Sequence, residues 1–389
     1  MIRSSDRILT THVGSLYRSP QLLEMYRRKL NDEPCDEAEF QSLILQETKS
    51  AVRLQAEIGI DIPADGEISR FSFRGYFHDR VSGLTFGPAG AYVNRSRDRT
   101  EFADFYAQAA PHYWMPVVGK PLPVPVCVGP ITYNSEPALR DIANLKEAMK
   151  DFRFMQPFMP AQVAPSSTTA IRNEYYSTQE ECNIAFVEAL REEYKLLAAS
   201  GLVVQLDDPF IAQEWEVYEP AISIKEYRKR AEERVALLNY SLEGVPEDMV
   251  RLHVCWGSWH GPHAHDLPLR DIVDILLKVK AQAYSIEAAN PQHEHEWEVW
   301  KDVRLPDGKI LIPGVVTHKS YVVEHPDLVA QRIVRYADLV GRENIIAAPD
   351  CGMGGRIHQQ VGLAKLRVMV EGARRASDRL WRNAHRKSA

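Results

Sequence analysis

Cysteine is scarce in this 389-residue chain: five occur, dispersed at positions 35, 127, 182, 255 and 351, with no CxxC pair. An odd, scattered set argues against a disulfide framework and for reduced thiols, which points to the cytoplasm. Long hydrophobic runs are missing as well. No stretch approaches the roughly 18 apolar residues a membrane span needs, and the opening MIRSSDRILTTHVGSL lacks the apolar segment of a secretory signal. Concentrated positive charge is absent until the short end RRASDRLWRNAHRKS, and the net charge is −6. Without a basic face there is nothing to grip a phosphate backbone, so nucleic acid is excluded as a partner. Low-complexity linkers and internal repeats are also absent, which favours a single domain over 1–389.

What is present is alternation. Strand-like runs occur at 7–15, 59–67, 123–132, 155–164, 201–209, 250–257, 282–290, 309–318 and 343–352. Most are apolar on both faces, as buried parallel strands are. Between them lie helix-period stretches. DEAEFQSLILQETKSAVRLQAEIG stops at Gly59, STQEECNIAFVEALREEYKLLAASG opens on an N-cap pattern and stops at Gly201, and HPDLVAQRIVRYADLVG has a proline in its first turn. One helix per strand, repeated about eight times, predicts an α/β fold of the (β/α)8 TIM barrel type with inserted loops. Nine runs are one too many, and either 155–164 or 309–318 is expected outside the barrel. Two polar, aromatic stretches break the pattern: 85–115, expected as an inserted lid or oligomer contact, and 165–177.

Active sites of such barrels form at the C-terminal ends of the strands, and reactive side chains gather there. In VRLHVCWG, His253 and Cys255 stand one residue apart, so in a strand both point to one face. Glu287 ends the next run in SIEAAN, and Cys351 ends the last in PDCGMG. The intervals of 32 and 64 residues are βα-unit spacings, unlike those of a zinc knuckle. Two thiolates, an imidazole and a carboxylate suit Zn²⁺, and a displaceable carboxylate suits a catalytic ion. A thiolate-rich shell is a weak Lewis acid toward water, but it deprotonates a third thiol and leaves it nucleophilic. S-alkylation of a zinc-bound thiol is the implied chemistry. Ser15, after Gly14 in TTHVGS, is placed for a carboxylate, and Glu67 in ADGE and Asp207 in QLDDP for an ammonium. Together they suit an amino-acid thiol.

In their order, TTHVGS, DGE, QLDDP, HVC, SIEAANPQHEHEW, PGVV and PDCGMG resemble the catalytic barrel of cobalamin-independent methionine synthase, and more distantly the fold of uroporphyrinogen decarboxylase. The resemblance spans nearly the whole sequence. It implies a zinc-dependent methyl transfer to homocysteine, with zinc on His253, Cys255, Glu287 and Cys351 and the homocysteine backbone on Ser15, Glu67 and Asp207. Full-length plant and bacterial members carry a second, N-terminal barrel for the folate; no counterpart is seen here, which leaves the methyl donor open. HVCWGSWHGPHAHD and EAANPQHEHEW also resemble epoxyalkane:coenzyme M transferase, in which a zinc-bound sulfonate thiol opens an epoxide. A non-catalytic zinc-stabilised barrel is the alternative of another class. The expected partners are a small-molecule thiol and an alkyl or methyl donor, with self-association left open.

Plainer roles compete at each position. Glu67 and Asp207 would also serve as helix caps or rim ion pairs, and Ser15 as a turn serine. His12 and His318 are further catalytic candidates, against packing and an idle loop position respectively; Lys319 beside His318 shares that alternative. The pairs His263/His265 and His293/His295 have ligand-like spacing, but their Pro/Gly and acidic surroundings predict solvated loops. Trp256 and Trp259 either wall a pocket or pack, and Cys35, Cys127 and Cys182 read as non-ligand thiols.

Overall fold

Seven strands of the computed structural model form one parallel sheet, which describes the chain over residues 1–71, 79–87, 96–113, 124–163, 171–217 and 221–382. The strands are β1 (Leu9–Thr10), β2 (Val81–Gly87), β3 (Val124–Tyr133), β4 (Phe158–Gln162), β5 (Arg172–Asn173), β6 (Val203–Asp207), β7 (Val250–Val254), β8 (Ala283–Ile286), β9 (Ile310–Val316) and β10 (Ile346–Pro349). The main sheet runs β1-β10-β9-β8-β7-β6-β4. Its two ends are joined by residues 60–64. Thr11 bridges Ile62 in parallel, the Ile62 N–H donates to Thr10 O at 3.1 Å, and the Phe158 N–H of β4 donates to Pro63 O at 2.9 Å. Pro63 has no N–H to return, and the Ala64 N–H is taken by the Gln55 side chain at 3.0 Å. The run therefore never builds a regular ladder, yet it fills the eighth position and closes the barrel.

The surplus run is neither of the two expected. Both 155–164 and 309–318 supply barrel strands, β4 and β9, while 123–132 lies outside as β3. It pairs antiparallel with β2 and parallel with β5 in a separate three-stranded sheet. β3 is not buried on both faces, for Val128 is 49 % exposed; an antiparallel pair tolerates such a wet face. Its partner β2 begins before the turn-rich stretch 85–115 and overlaps it only at 85–87, in a part of the sequence to which no strand was assigned.

The helices end where capping chemistry ends them. Asp36 accepts from the Glu39 N–H and Thr178 from the Glu181 N–H, opening Glu37–Ile58 and Gln179–Ala199. Gly59 closes the first of these in the left-handed conformation at φ +91°. These helices and Pro326–Val340 pack their apolar faces on the outside of the barrel in one continuous core. A smaller core fills the barrel interior, with Leu9, Ile62, Phe158, Val203, Ile310 and Ile346 among its members. No helix among the described residues is long and apolar enough to cross a membrane.

Candidate metal centre

Alternation along β7 turns Arg251, His253 and Cys255 to the barrel axis. The loop after β10 brings Cys351 to the same point: one ring nitrogen of His253 and the two Sγ atoms all lie within 4.8 Å of one another. Among the described residues this is the one such group of three or more His, Cys, Asp or Glu side chains. His253 Nδ1 is 3.1 Å from Ser285 Oγ, on the neighbouring strand β8. Its Nε2 is buried without a hydrogen-bond partner among the described residues. A ring fixed through one nitrogen with the other left bare is the arrangement of a metal-ligating histidine. Ser258 Oγ sits 2.9 Å from Cys351 Sγ. The hydrogen bond with Cys255 and the nearby His253 hold the Cys351 thiol well below its usual range despite burial. The same thiol–thiol contact, with burial, pushes Cys255 well above it. A set that shares protons this closely is ready to exchange them for one divalent cation, so the residues present fit zinc.

Glu287 does not join this group. Its Oε2 accepts from the Trp256 N–H at 3.0 Å, its Oε1 accepts from Asn290 Nδ2 at 2.9 Å, and Lys319 Nζ lies 2.6 Å from Oε1. Burial works against its charge, but Lys319, His318 and His293 together bring its ionisation below the usual carboxylate range. Asp350, which no sequence argument singled out, accepts from the N–H groups of Ala288 and Ala289 at 2.7 and 2.8 Å. That fixes the turn following Glu287.

The three substrate candidates sit at the same mouth. Ser15 O accepts from the N–H groups of Met353 and Gly354, each at 3.0 Å, which straps it to the Cys351 loop. Glu67 and Asp207 are both buried and both feel the charge of Cys351. Burial raises Glu67 above its usual range and pushes Asp207 up to about 8. Glu67 also has a left-handed backbone, φ +55°, a conformation that side chains other than glycine adopt mainly where surrounding structure enforces it. Gly14 explains the local fit. Its φ is +134°, and a Cβ there would lie 2.5 Å from Glu67 Oε1 and 2.7 Å from Pro160 Cγ. The Arg70 and Arg18 guanidiniums near Glu67 and His253 near Asp207 offset only part of the cost of burying the two carboxyls, which also feel one another.

The histidines separate by role. His12 is fully engaged, with Nε2 2.8 Å from Gln55 Oε1 and Nδ1 accepting from the Gly14 N–H at 3.2 Å. It shapes the Gly14 turn and has no free nitrogen for catalysis. His318 is fully buried with neither ring nitrogen hydrogen-bonded among the described residues, and burial pushes it down to about 3 despite Cys351 and Glu287 nearby. The expectation that His263 and His293 lie in solvated loops is corrected: both are 2 % exposed. Asp266 Oδ2 accepts from His263 Nδ1 at 2.8 Å and from His293 Nε2 at 3.0 Å. Glu296 takes the other His293 nitrogen at 2.8 Å. The acids that suggested solvation are the partners that make burial affordable. Trp256 stacks on His293 at 4.0 Å and donates Nε1 to Leu267 O, so it packs beneath the mouth.

Of the expected insertion at 85–115, residues 88–95 and 114–115 lie outside the described residues, as do 165–170 of the second stretch. The rest of the insertion closes over the loop that follows Cys255. Trp259 Nε1 donates to Tyr106 Oη at 3.1 Å, Asp98 Oδ1 accepts from the Ala264 N–H at 3.0 Å, and His265 pairs with Glu101 at 2.6 Å. These contacts form one rim of the mouth. Gly257 permits the tight WGSW turn, since a Cβ there would fall 1.9 Å from the Trp259 ring.

Fold and site together define a class: (β/α)8 barrels that collect a thiolate-rich metal-binding group at the C-terminal mouth. Comparison with known proteins narrows it. The pattern of the cobalamin-independent synthase catalytic domain matches residues 8–103 and 114–375, and the chain belongs to that family. A methionine synthase of Thermococcus kodakarensis is 26% identical over 370 residues, spanning 94% of this chain and 92% of that one. A 5-methyltetrahydropteroyltriglutamate–homocysteine methyltransferase of Chelativorans sp. is 25% identical over 375 residues, spanning 94% of this chain and 42% of the longer protein. The solved structure of a B12-independent methionine synthase from Shewanella sp. W3-18-1, in complex with selenomethionine, superposes with a TM-score of 0.73 at 20% identity, over 96% of this chain and 99% of that one. It shows the same fold.

Proposed function

We propose that the chain is a zinc-dependent S-methyltransferase that transfers a methyl group to homocysteine and yields methionine. The observation that carries this is the convergence of His253, Cys255 and Cys351 donor atoms within 4.8 Å at the barrel mouth. The names borne by its relatives agree with it. Zinc bound there would supply one thing, deprotonation of the substrate thiol at neutral pH. The chain does the rest. Glu67 and Asp207 bind the ammonium, Ser15 borders the carboxylate, and His318 presents an uncharged imidazole to the reacting centre. The Tyr106–Trp259 rim restricts water. Free thiols in such a site require a reducing compartment, hence the cytoplasm.

The test is to incubate zinc-loaded protein with L-homocysteine and a panel of donors: methyltetrahydrofolate with one and with several glutamates, methylcobalamin, and small methylated sulfur or nitrogen compounds. Methionine is expected from at least one. None from any would reject the reading. The coenzyme M alternative is disfavoured by the paired buried acids, because a sulfonate thiol brings no ammonium and its anionic tail would meet Glu67 and Asp207. Substitution of either acid should leave coenzyme M affinity unchanged or improved, and should weaken homocysteine.

A further inference from the structure

The loop that leaves β9 carries His318 and runs to Glu324, just ahead of the helix Pro326–Val340. We propose that Lys365 and Glu324, a buried ion pair apart from the metal centre, are positioning residues that close this loop at its base and so hold the His318 imidazole at the barrel mouth. The proposal rests on the functional reading in taking His318 to face the reacting centre.

Three contacts make the closure. Lys365, on the helix Gln359–Ser377, donates from Nζ to Val322 O. The same Nζ lies 2.8 Å from Glu324 Oε2, with side-chain exposures of 0 % and 7 %. The other Glu324 oxygen, Oε1, accepts from the Thr317 N–H at 2.9 Å. One carboxylate thus joins the residue that opens the loop to the residue that ends it, and one ammonium from a neighbouring helix fastens the far side. Within the closed turn, Thr317 Oγ1 accepts from the Lys319 N–H at 3.1 Å and Ser320 Oγ from the Val322 N–H at 3.2 Å. His318 is held through these backbone neighbours, for neither of its ring nitrogens is hydrogen-bonded among the described residues.

Stability alone gives no reason for such a pair. The hydration that two buried charges lose offsets most of their attraction, and apolar side chains of similar volume commonly serve as well. What charge adds is direction: an ammonium with two acceptors in fixed places specifies one path for the backbone, where apolar packing would accept several. The loop shows where that precision ends. Its tip residues Tyr321 and Val322 are exposed, whereas His318 between them and β9 is fully buried. The His318 ring lies 6.3 Å from that of His260, and the Tyr321 ring 6.2 Å from it. The base therefore fixes the imidazole, and the tip alone is left free beside it.

Lys365→Met with Glu324→Gln deletes the pair as a unit and leaves no unpaired charge. The glutamine carbonyl can still accept from Thr317, so the tie to the helix is what is lost. Diethyl pyrocarbonate, which acylates accessible neutral imidazoles, reads the outcome by peptide mass without any turnover. His318 should resist it in the zinc-loaded parent and react about tenfold faster in the pair-deleted protein, the scale of losing a charge-assisted contact. His263 and His293, also buried, should stay protected in both. Zinc content and homocysteine affinity, by calorimetry, should remain within about twofold of the parent, because the pair touches neither. The kcat for methyl transfer should fall about tenfold or more, as a misplaced group costs. A pair that serves folding alone would lower the melting temperature and leave both kcat and His318 labelling unchanged, and that result would overturn the proposal. So would a fall in homocysteine affinity that accounts for the whole loss of rate. If the double variant folds poorly, Glu324→Asp, which keeps the charge but shortens its reach, must give the same pattern. No methyl transfer by the parent from any donor would sink the functional reading, and His318 labelling would still decide whether the pair holds the loop.

Discussion

Asp207→Asn separates stability from substrate binding in a way the site dictates. The unfolded chain ionises an aspartate near 3.8, whereas burial moves this one up to about 8. Between those values the folded chain holds a proton that the unfolded chain has lost. The stability due to this group is therefore complete below pH 4 and drains away as pH rises toward 8. At about 1.4 kcal/mol per pH unit the loss over that window of about four units is on the order of 6 kcal/mol. Asparagine cannot ionise, and its carbonyl can still accept from Gln205 Nε2, which lies 2.8 Å from Asp207 Oδ1. With about 2 cal/mol/K of unfolding entropy per residue, a chain of this length should gain about 7 °C in Tm at pH 8.5 and only about 1 °C at pH 4.5. Melting is best followed after chelator treatment, since a cation near His253 would itself draw Asp207 into its ionised form. The same substitution removes a charge-assisted contact worth about 1.5–3 kcal/mol to a bound ammonium, so the KM for homocysteine should rise about 10- to 150-fold. Zinc content should not change. A melting curve with the same pH dependence as the parent, or an unchanged KM, would refute the assignment of this carboxyl as a buried ammonium receptor.

Three further outcomes are expected. Cys255→Ala and Cys351→Ala should each lose most bound zinc on dialysis, while Cys182→Ala, a buried thiol on the helix Gln179–Ala199, should retain a full equivalent by atomic absorption. Gly14→Ala places a Cβ 2.5 Å from Glu67 Oε1; it should raise the homocysteine KM about tenfold or more by displacing a charge-assisted contact, with zinc retained. Trp259→Ala removes the ring that stacks on His263 at 4.3 Å and donates to Tyr106. It should cost about 3–5 kcal/mol in urea unfolding and expose residues 96–113 to limited proteolysis before the barrel is cut.

The barrel was legible because parallel strands buried on both faces leave uninterrupted apolar runs, and because helix ends carry their signals locally, as Asp36 and Gly59 do. The convergence of the three donor side chains was legible for a related reason: the period of two fixes His253 and Cys255 on one face, and the chain order of βα units brings Cys351 round to meet them. What the pattern could not give was partnership between distant residues. Nothing local distinguishes β3 from a barrel strand, since its sorting depends on pairing with β2, in a part of the sequence to which no strand was assigned. Glu287 stands at a strand end as expected, but its contact with Lys319 from the next strand's loop joins residues too far apart in the chain for any local pattern to show. His263 and His293 looked solvated because their acidic neighbours were read as surface, when Asp266 bridges the pair inside. Of the residues not picked out, Ser285 had the clearest signal, being the inward position two before Glu287.

The mouth and the core are built on the same strands, and this constrains how the protein can work. Inward positions grade from apolar to reactive along two of them, Val203, Gln205 and Asp207 on β6 and Ala283, Ser285 and Glu287 from β8, whereas β7 presents Arg251, His253 and Cys255. The middle layer links the other two. Arg251 lies with its guanidinium 3.3 Å from the Phe158 ring centroid and donates from Nε to Gln205 Oε1 at 2.8 Å. Gln205 in turn donates to Asp207 at 2.8 Å. Orientation is thus passed upward from packed aromatic to guanidinium to amide to carboxylate, every member buried. Buried, interlocked layers of this kind resist displacement, so the donor atoms and the Asp207 carboxyl hold fixed positions on the barrel. On the proposed function, the motion that admits a methyl donor comes from segments laid over the mouth. The described candidates are the Tyr106–Trp259 rim and the loop after β9, where Tyr321 and Val322 are 56 % and 76 % exposed. On that function a donor too large for a fixed mouth would be selected by those loops, and the thiol by the strands.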